Sequence, residues 1–394
     1  MVAKLRDLRR QADSAHPDVF TDQTPLRGPL DGWRYFIGPS ACIPPSMLVR
    51  VATVEEWERT YPSWNPADTL LDTATVTPEL HEFLVQNYLS TVHTLYPILD
   101  APESIQSLQN PTTTSLTASQ EFIRCMVYAI SCHCVPRNAR AMLFLSLANN
   151  YHRRAMELLE AATSKLNVET LRNVMLLAFH SMLAPHQGNC SQLVGIAARL
   201  CVDLKLATSE DQSLLHLLLS VVCVERQIAV TIDRPWFLDL PDSFSQVEIS
   251  GLARHRAIEI LYILVSMQST LRQAELEGET RIQVSQQIRA ICTWVTSQER
   301  PLPNLIAVLQ ETKLMLGLDG DSKELIQIYN QEDCFHTFLT PHWILRAARA
   351  VLERSPSLES GKASREFLLA LLMLDRDTVR WPSCQVLLES LQAI

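Results

Sequence analysis

The chain has 394 residues, of which 47% are hydrophobic and 20% are charged, and its formal net charge is −9. This composition is typical of a globular protein with a large core and excludes a wholly disordered chain. The negative charge disfavours direct binding of nucleic acid, because phosphate contacts require a basic face. Only ten residues are glycine, which favours helices over glycine-rich β or dinucleotide-binding folds.

The cysteines are scattered along the chain instead of being grouped in ligand pairs. Most of them lie in apolar helical patterns, which is typical of free thiols in a reducing compartment. The run Cys132-His133-Cys134 lacks the spacing that lets two thiolates reach one ion. We therefore expect no structural metal and no cofactor. The longest apolar stretch, 214–224, is too short to span a bilayer, so we expect no membrane association.

The chain begins with an irregular segment and continues as helices. Residues 1–76 are rich in Pro, Asp, Thr and Trp and predict an irregular N-terminal arm. Thr77-Pro78-Glu79 then provides an N-cap, a first-turn proline and a first-turn acid. These signals predict that a helical domain begins at 77 and extends to 394.

Helical periodicity recurs along most of this domain, and two capping boxes are predicted, Thr117 with Gln120 and Ser209 with Gln212. About a dozen helices in sequence predict an all-α fold, a stacked body of antiparallel helices. The predicted helical ranges are 78–92, 118–133, 137–162, 168–183, 190–206, 210–233, 251–276, 280–297, 322–331, 338–354, 364–375 and 383–392.

One of these helices should end abruptly. Its apolar run continues through Cys223-Val224-Glu225-Arg226 and reaches Asp233-Arg234-Pro235. A proline removes a backbone donor and biases the preceding residue away from helical dihedrals. The helix should therefore stop near Asp233, and an extended segment should follow it as far as Pro241.

The order of these segments resembles the middle homology region of fungal zinc-cluster transcription factors. The resemblance is carried by the leucine-rich phrase 171–178, by the phrase 195–204, and by the helix that ends in Arg-Pro before a Leu-Pro. It is best over 78–245. It implies a nuclear, effector-responsive or partner-binding helical domain that acts on transcription, either as a single chain or as a homodimer.

The chain departs from that family at several positions. Lys205 and Asp233 stand where the family has glycine, and the apolar run 213–218 replaces an Arg-Arg-x-x-Trp pattern. The six-cysteine zinc cluster through which the family binds DNA has no counterpart in the sequence. These departures imply a regulator without its own DNA-binding module, acting through another protein or by dimerisation.

Two functions remain open at this point. The first is a transcription regulator in the nucleus, for which the genes of a specialised-metabolite pathway are one candidate target. The second is a cytoplasmic enzyme in which the same helical body cyclises or rearranges a hydrophobic intermediate by orientation alone. Both readings require a cavity for a hydrophobic small molecule or a surface for a protein partner, and no catalytic residue can be assigned.

Candidate ligand-binding residues are isolated polar or aromatic groups within apolar segments. They lie in the segments 121–134, 169–183 and 338–346 and at the Arg-Pro break, and each has a plain core-packing alternative. They are His133, His180, Trp236, His342 and Trp343.

Three further residues at the break are predicted to be structural. Arg226, if buried in its apolar helix, requires a carboxylate or carbonyl partners. Arg234 is placed to reach carbonyl groups left free at the helix end. Pro235 ends the helix.

Overall fold

The computed structural model describes residues 76–100, 102–109, 116–135, 141–240, 256–273, 278–298, 302–317, 321–353 and 365–392. All of them lie in the larger of the two units into which the chain divides, Tyr35–Ile394. The predicted arm over 1–76 falls outside the described residues except for Val76.

The described residues form fourteen α-helices and no strand, which confirms the all-α prediction. A π-helical turn, Leu89–His93, extends the first helix. The helices are α1 Pro78–Tyr88, α2 Pro102–Gln109, α3 Ala118–His133, α4 Ala141–Ala162, α5 Val168–Leu183, α6 Cys190–Asp203, α7 Gln212–Ile232, α8 Ala257–Gln273, α9 Gly278–Thr296, α10 Pro303–Leu316, α11 Asp321–Tyr329, α12 Thr340–Glu353, α13 Arg365–Thr378 and α14 Cys384–Gln392.

Two of the three predicted helix starts are confirmed. The Thr77 hydroxyl caps α1 by accepting from the Leu80 amide, and Thr117 with Gln120 forms a complete capping box on α3. The box predicted for Ser209 and Gln212 is wrong. Asp211 caps α7 instead, because its carboxylate accepts from the Ser213 amide.

Helices that follow one another in sequence pack against one another in space. α3 contacts both α4 and α5, α5 contacts α6, α6 contacts α7, and α7 contacts α8. The same pattern continues through α10 to α14. Neighbours joined by short connections run in opposite directions, so the body is the predicted stack of helical pairs.

Two hydrophobic clusters form the core. The larger one is built mainly from α1 to α10. The smaller one is built from α11 to α14, together with Val230 of α7 and Ala307 of α10. Among the described helices, α7 alone is long and apolar enough to cross a membrane, but 89% of its apolar window is buried against the rest of the protein. The buried core helix of a globular protein can be as apolar as a membrane span. Here α7 contributes residues to both hydrophobic clusters.

The break after α7 lies at the predicted place. Ile232 is the last helical residue, and Asp233 takes a left-handed conformation with φ 56°. The Arg234 amide then donates to the Ala229 carbonyl at 2.9 Å. The other described non-glycine residue in this region of dihedral space is Lys205, with φ 55°. These are the two positions at which the resembled family has glycine, the residue that adopts this conformation most readily.

The helix end is held by an arginine that the sequence did not indicate. Arg272 of α8 donates to the carbonyl oxygens of Ala229 (2.7 Å) and Arg234 (2.6 Å). It also pairs with the Asp233 carboxylate at 2.7 Å. The Arg234 guanidinium reaches α6, where it donates to Ser191 Oγ at 3.0 Å. Arg272 thus donates to carbonyl groups at the helix end, the place predicted for Arg234.

Glu225 and Arg226 face in different directions, as expected for adjacent helical residues. The buried Glu225 carboxylate accepts from the amides of Phe237 (2.8 Å) and Leu238 (3.1 Å) and so fixes the extended segment after the break. The half-buried Arg226 donates to Ser266 Oγ at 2.8 Å and lies over the rings of Trp236 and Tyr262. Its partners in the structure are thus a hydroxyl group and two rings.

Candidate functional site

A cavity of about 40 Å³ lies where the two hydrophobic clusters meet. This volume has room for roughly three water molecules or one small chemical group. It is too small to enclose a drug-sized molecule, which needs a few hundred Å³. The lining residues come from the turn after α1 and from α5, α7, α10, α11, the loop before α12 and α12 itself. They are Leu95, Tyr96, Met182, Gln227, Thr231, Asn304, Ala307, Val308, Glu311, Tyr329, Phe335, Thr337, Leu339, Thr340 and Trp343.

One carboxyl group lies in the wall of this cavity. Glu311 of α10 is buried and accepts a hydrogen bond from the Tyr329 hydroxyl. Gln268 of α8 donates to the other carboxylate oxygen at 3.3 Å and to Thr312 Oγ1 at 3.1 Å. Burial raises the pKa of Glu311 to about 7, against the hydrogen bonds from Tyr329 and Gln268 that lower it. The group is therefore poised to gain or lose a proton near neutral pH.

Aromatic residues form much of the remaining wall, and their polar atoms are bonded to neighbouring helices. The Tyr96 hydroxyl donates to Gln227 Oε1 at 2.7 Å. Trp343 Nε1 donates to Thr231 Oγ1 at 3.1 Å. Arg346 lies over the Trp343 ring, with its guanidinium carbon 4.6 Å from the ring centroid, and donates to the Thr231 carbonyl at 2.9 Å. These bonds fix the orientation of the rings.

The structure brings only one of the five predicted ligand-binding residues to the cavity wall. Trp343 lines it, and the segments 169–183 and 338–346 both contribute to it, whereas the lining contains no residue of 121–134. His342 is half-buried beside Trp343 but does not line the cavity. Trp236 packs on Arg226 near the surface and donates to Asp239 at 2.8 Å.

His133 and His180 lie together in a different buried cluster. Their ring centroids are 5.3 Å apart, and His152 stacks on His180 at 4.4 Å. In the described part of the protein, none of the four ring nitrogens of His133 and His180 has a hydrogen-bond partner. Burial, with the nearby charges of Arg380 and of the other histidines, holds the pKa of both well below the usual value. Both imidazoles are therefore neutral at physiological pH.

The thiols and possible metal ligands can be assessed over the described ranges. Nine cysteines are free there, and all but Cys292 are buried. Within the same ranges, no group of three or more His, Cys, Asp or Glu is arranged to hold a metal ion.

The sequence reasoning missed the carboxyl group and the two tyrosines of the cavity. Glu311 lies in the polar run Gln310-Glu311-Thr312-Lys313 in the middle of α10. Charged and polar residues in a helix are mostly exposed, so the sequence carries no local signal that this carboxyl group is buried. Tyr96 and Tyr329 carry no signal either, because a tyrosine at the end of an amphipathic segment is most often a packing residue.

Residues 85–250 match the family model of the fungal specific transcription factor domain. This confirms the resemblance proposed for 78–245. The domain contributes Leu95, Tyr96, Met182, Gln227 and Thr231 to the cavity, and the carboxyl group and Trp343 come from the chain beyond it. No curated protein and no solved structure matches the chain.

Proposed function

We propose that this protein is a transcription regulator of the fungal transcription-factor type that acts in the nucleus through its helical body. The observation that carries the proposal is the match of residues 85–250 to the fungal specific transcription factor domain. The left-handed residues Lys205 and Asp233 support it, because the chain keeps the backbone bends at which the family has glycine.

The body is proposed to receive an effector in the cavity between its two hydrophobic clusters. A small molecule held there would contact helices of both clusters at once, since the wall combines Tyr96 and Gln227 with Glu311 and Trp343. A ligand shifts a conformational equilibrium by its differential affinity for two states. Contacts to both clusters would make the affinity depend on their relative arrangement.

The 394 residues are proposed to act on promoters through another DNA-bound protein. The net charge of −9 opposes the phosphate contacts that supply most of the affinity for DNA. We expect the purified chain to give no specific shift of duplex DNA at physiological salt. A specific shift at submicromolar protein would contradict this part of the proposal.

The regulatory role can be tested by tethering the full chain to a reporter promoter through a heterologous DNA-binding domain. We expect reporter RNA to change by about threefold or more. Ala178→Asp places a charge at a fully buried position of α5 and should abolish the effect, since an unpaired buried charge unfolds the body. Val202→Asp, at a position that is 58% exposed, is the matched control and should keep it.

Two results would contradict the regulatory role. One is a chain that accumulates in the nucleus, folds and leaves the reporter unchanged. The other is equal reporter activity of the Ala178→Asp and Val202→Asp variants at equal protein levels.

A further inference from the structure

We propose that the cavity is a binding site for a small organic cation, an ammonium group held between the Glu311 carboxylate and the rings of Tyr96, Tyr329 and Trp343. The inference names the ligand class for the effector cavity and to that extent rests on the proposed function. The contacts that lead to it are independent of any role in transcription.

The first step is the charge of the wall. Among the described residues that line the cavity, Glu311 is the acidic one, and none is a lysine, arginine or histidine. The charge of Arg346 acts on Glu311 and lowers its pKa, and the Arg346 guanidinium is held by the Thr231 carbonyl and by the Trp343 ring. A buried carboxyl group favours a partner of opposite charge, because the pair is screened less than it would be in water.

The second step is the aromatic content. Tyr96, Tyr329, Phe335 and Trp343 all line the same small space. The faces of aromatic rings carry negative potential, and rings around a carboxylate are the arrangement that recognises ammonium groups. Three of the rings are fixed, since the hydroxyl groups of Tyr96 and Tyr329 and the indole of Trp343 each donate to a neighbouring side chain.

The third step is size and access. The volume of about 40 Å³ fits a compact head group and excludes larger ring systems. Three lining residues, Gln227, Asn304 and Thr337, are only half-buried. They are the most solvent-accessible of the lining residues, and this rim is the proposed entrance to the cavity. A cation with an apolar tail could thus place its head group inside and leave the tail at the rim.

The experiment compares cations with neutral molecules of the same shape. The full chain is titrated by calorimetry with methylammonium, tetramethylammonium and choline, and with 3,3-dimethylbutan-1-ol as the neutral isostere of choline. We expect at least one cation to bind with millimolar or tighter affinity and the neutral alcohol to bind at least about tenfold more weakly. A tenfold difference in affinity is within what a desolvated cation–π contact provides.

Variants then assign the binding to the cavity. Glu311→Gln keeps an acceptor for the Tyr329 hydroxyl and removes the charge, and it should weaken cation binding about tenfold or more. Glu157→Gln removes one negative charge at an exposed position of α4 that does not line the cavity, and it should change the affinity by less than about twofold. Both variants are first compared with the wild type in urea unfolding. If Glu311→Gln is unfolded, the cation-to-alcohol ratio of the wild type decides alone.

Three results would overturn the inference. They are equal affinity for choline and its neutral isostere, unchanged cation affinity in a folded Glu311→Gln variant, and no heat of binding with any of the cations up to about 10 mM. Reporter activity is measured separately. Cation binding without any effect on transcription would contradict the proposed function and leave the site intact.

Discussion

Two buried polar clusters of this protein differ in whether their groups have partners. In the carboxyl cluster, Glu311 accepts from Tyr329 and Gln268, and Gln268 also donates to Thr312. In the imidazole cluster, His133 and His180 are also buried, but their ring nitrogens have no hydrogen-bond partner among the described residues. The first cluster is held by its own hydrogen bonds, and the second is held by stacking and by the apolar core around it.

The difference has opposite consequences for the dependence of stability on pH. The raised pKa of Glu311 means that the folded state keeps a proton that the unfolded chain releases. The lowered pKa values of His133 and His180 mean that these imidazoles bind protons in the unfolded chain at a pH at which they stay neutral in the folded state. Raising the pH therefore destabilises the protein through the carboxyl cluster, and lowering the pH destabilises it through the imidazole cluster.

The largest expected effect comes from breaking the carboxyl cluster. Glu311→Ala leaves the Tyr329 hydroxyl buried without its acceptor and enlarges the cavity, which should lower the free energy of unfolding by about 4 kcal/mol. Urea unfolding at pH 7 measures this loss. Glu311→Gln, which keeps an acceptor, is the control and should lose no more than about 1 kcal/mol. Equal losses in the two variants would show that the hydrogen bonds of the cluster contribute little.

The next effect concerns how the stability that Glu311 contributes depends on pH. Between the ordinary pKa of 4.5 and the raised value of about 7, the stability contributed by Glu311 is lost as the pH rises. Glu311→Gln removes this loss. The variant should therefore gain about 2–3 kcal/mol relative to the wild type on going from pH 5 to pH 8. Unfolding curves of both proteins at the two pH values give the difference. If the difference in the free energy of unfolding between the two proteins is the same at pH 5 and pH 8, Glu311 titrates near its ordinary pKa.

A smaller effect on stability is expected from a substitution in the imidazole cluster. His180→Leu replaces a fully buried imidazole that has no hydrogen-bond partner in the described structure. The variant should be more stable by about 1–2 kcal/mol at pH 7, because the cost of burying the polar ring is removed. It should also lose less stability than the wild type as the pH falls from 7 to 5, since one depressed imidazole no longer titrates.

The control for this prediction is His216→Leu. His216 is also fully buried, but its Nδ1 bonds the Asp100 carboxylate at 2.8 Å. The same substitution should there destabilise the protein by about 1–3 kcal/mol, because the Asp100 carboxylate loses one of its hydrogen-bond partners and keeps the ion pair with Arg256. A stabilising His216→Leu variant, or a destabilising His180→Leu variant, would contradict the contrast between partnered and unpartnered imidazoles.

The smallest effect extends the contrast to the two left-handed residues. Lys205 is exposed, whereas Asp233 is paired with Arg272 at 2.7 Å. Lys205→Gly should raise the free energy of unfolding by about 1 kcal/mol, since glycine adopts the left-handed conformation without strain. Asp233→Gly gains the same relief and loses the ion pair with Arg272, so its stability should change by less than about 0.5 kcal/mol. Thermal unfolding of the two variants side by side measures the difference, and equal shifts would show that the pair with Arg272 contributes nothing.

Local signals in the sequence predicted twelve of the fourteen described helices, and they missed α2 and α10. Thr77 and Thr117 cap the helices they were expected to cap, and the break at Asp233 lies where Pro235 requires it. The one failed start, at Ser209, shows the limit of such patterns. Asp211 lies closer to the first turn, and a carboxylate is at least as good a cap as a hydroxyl group.

The candidate site could be predicted only in part. Trp343 was singled out and lines the cavity. His133 and His180 were expected to share that cavity and instead contact each other elsewhere. The faces of one helix point in several directions: on α5, Met182 lines the cavity while His180 packs on His152. Periodicity marks a face as buried, but it does not tell which neighbour covers it.

The sequence by itself determined the helical class, most of the helix ends and the resemblance that residues 85–250 bear out. These depend on interactions within a few residues, namely caps, proline sterics and the helical period. Only the tertiary structure decided that Glu311, Tyr329 and Trp343 meet Tyr96 in one cavity, and that Arg272 closes the end of α7. Those contacts join residues tens to hundreds of positions apart, and the packing of several helices at once selects them.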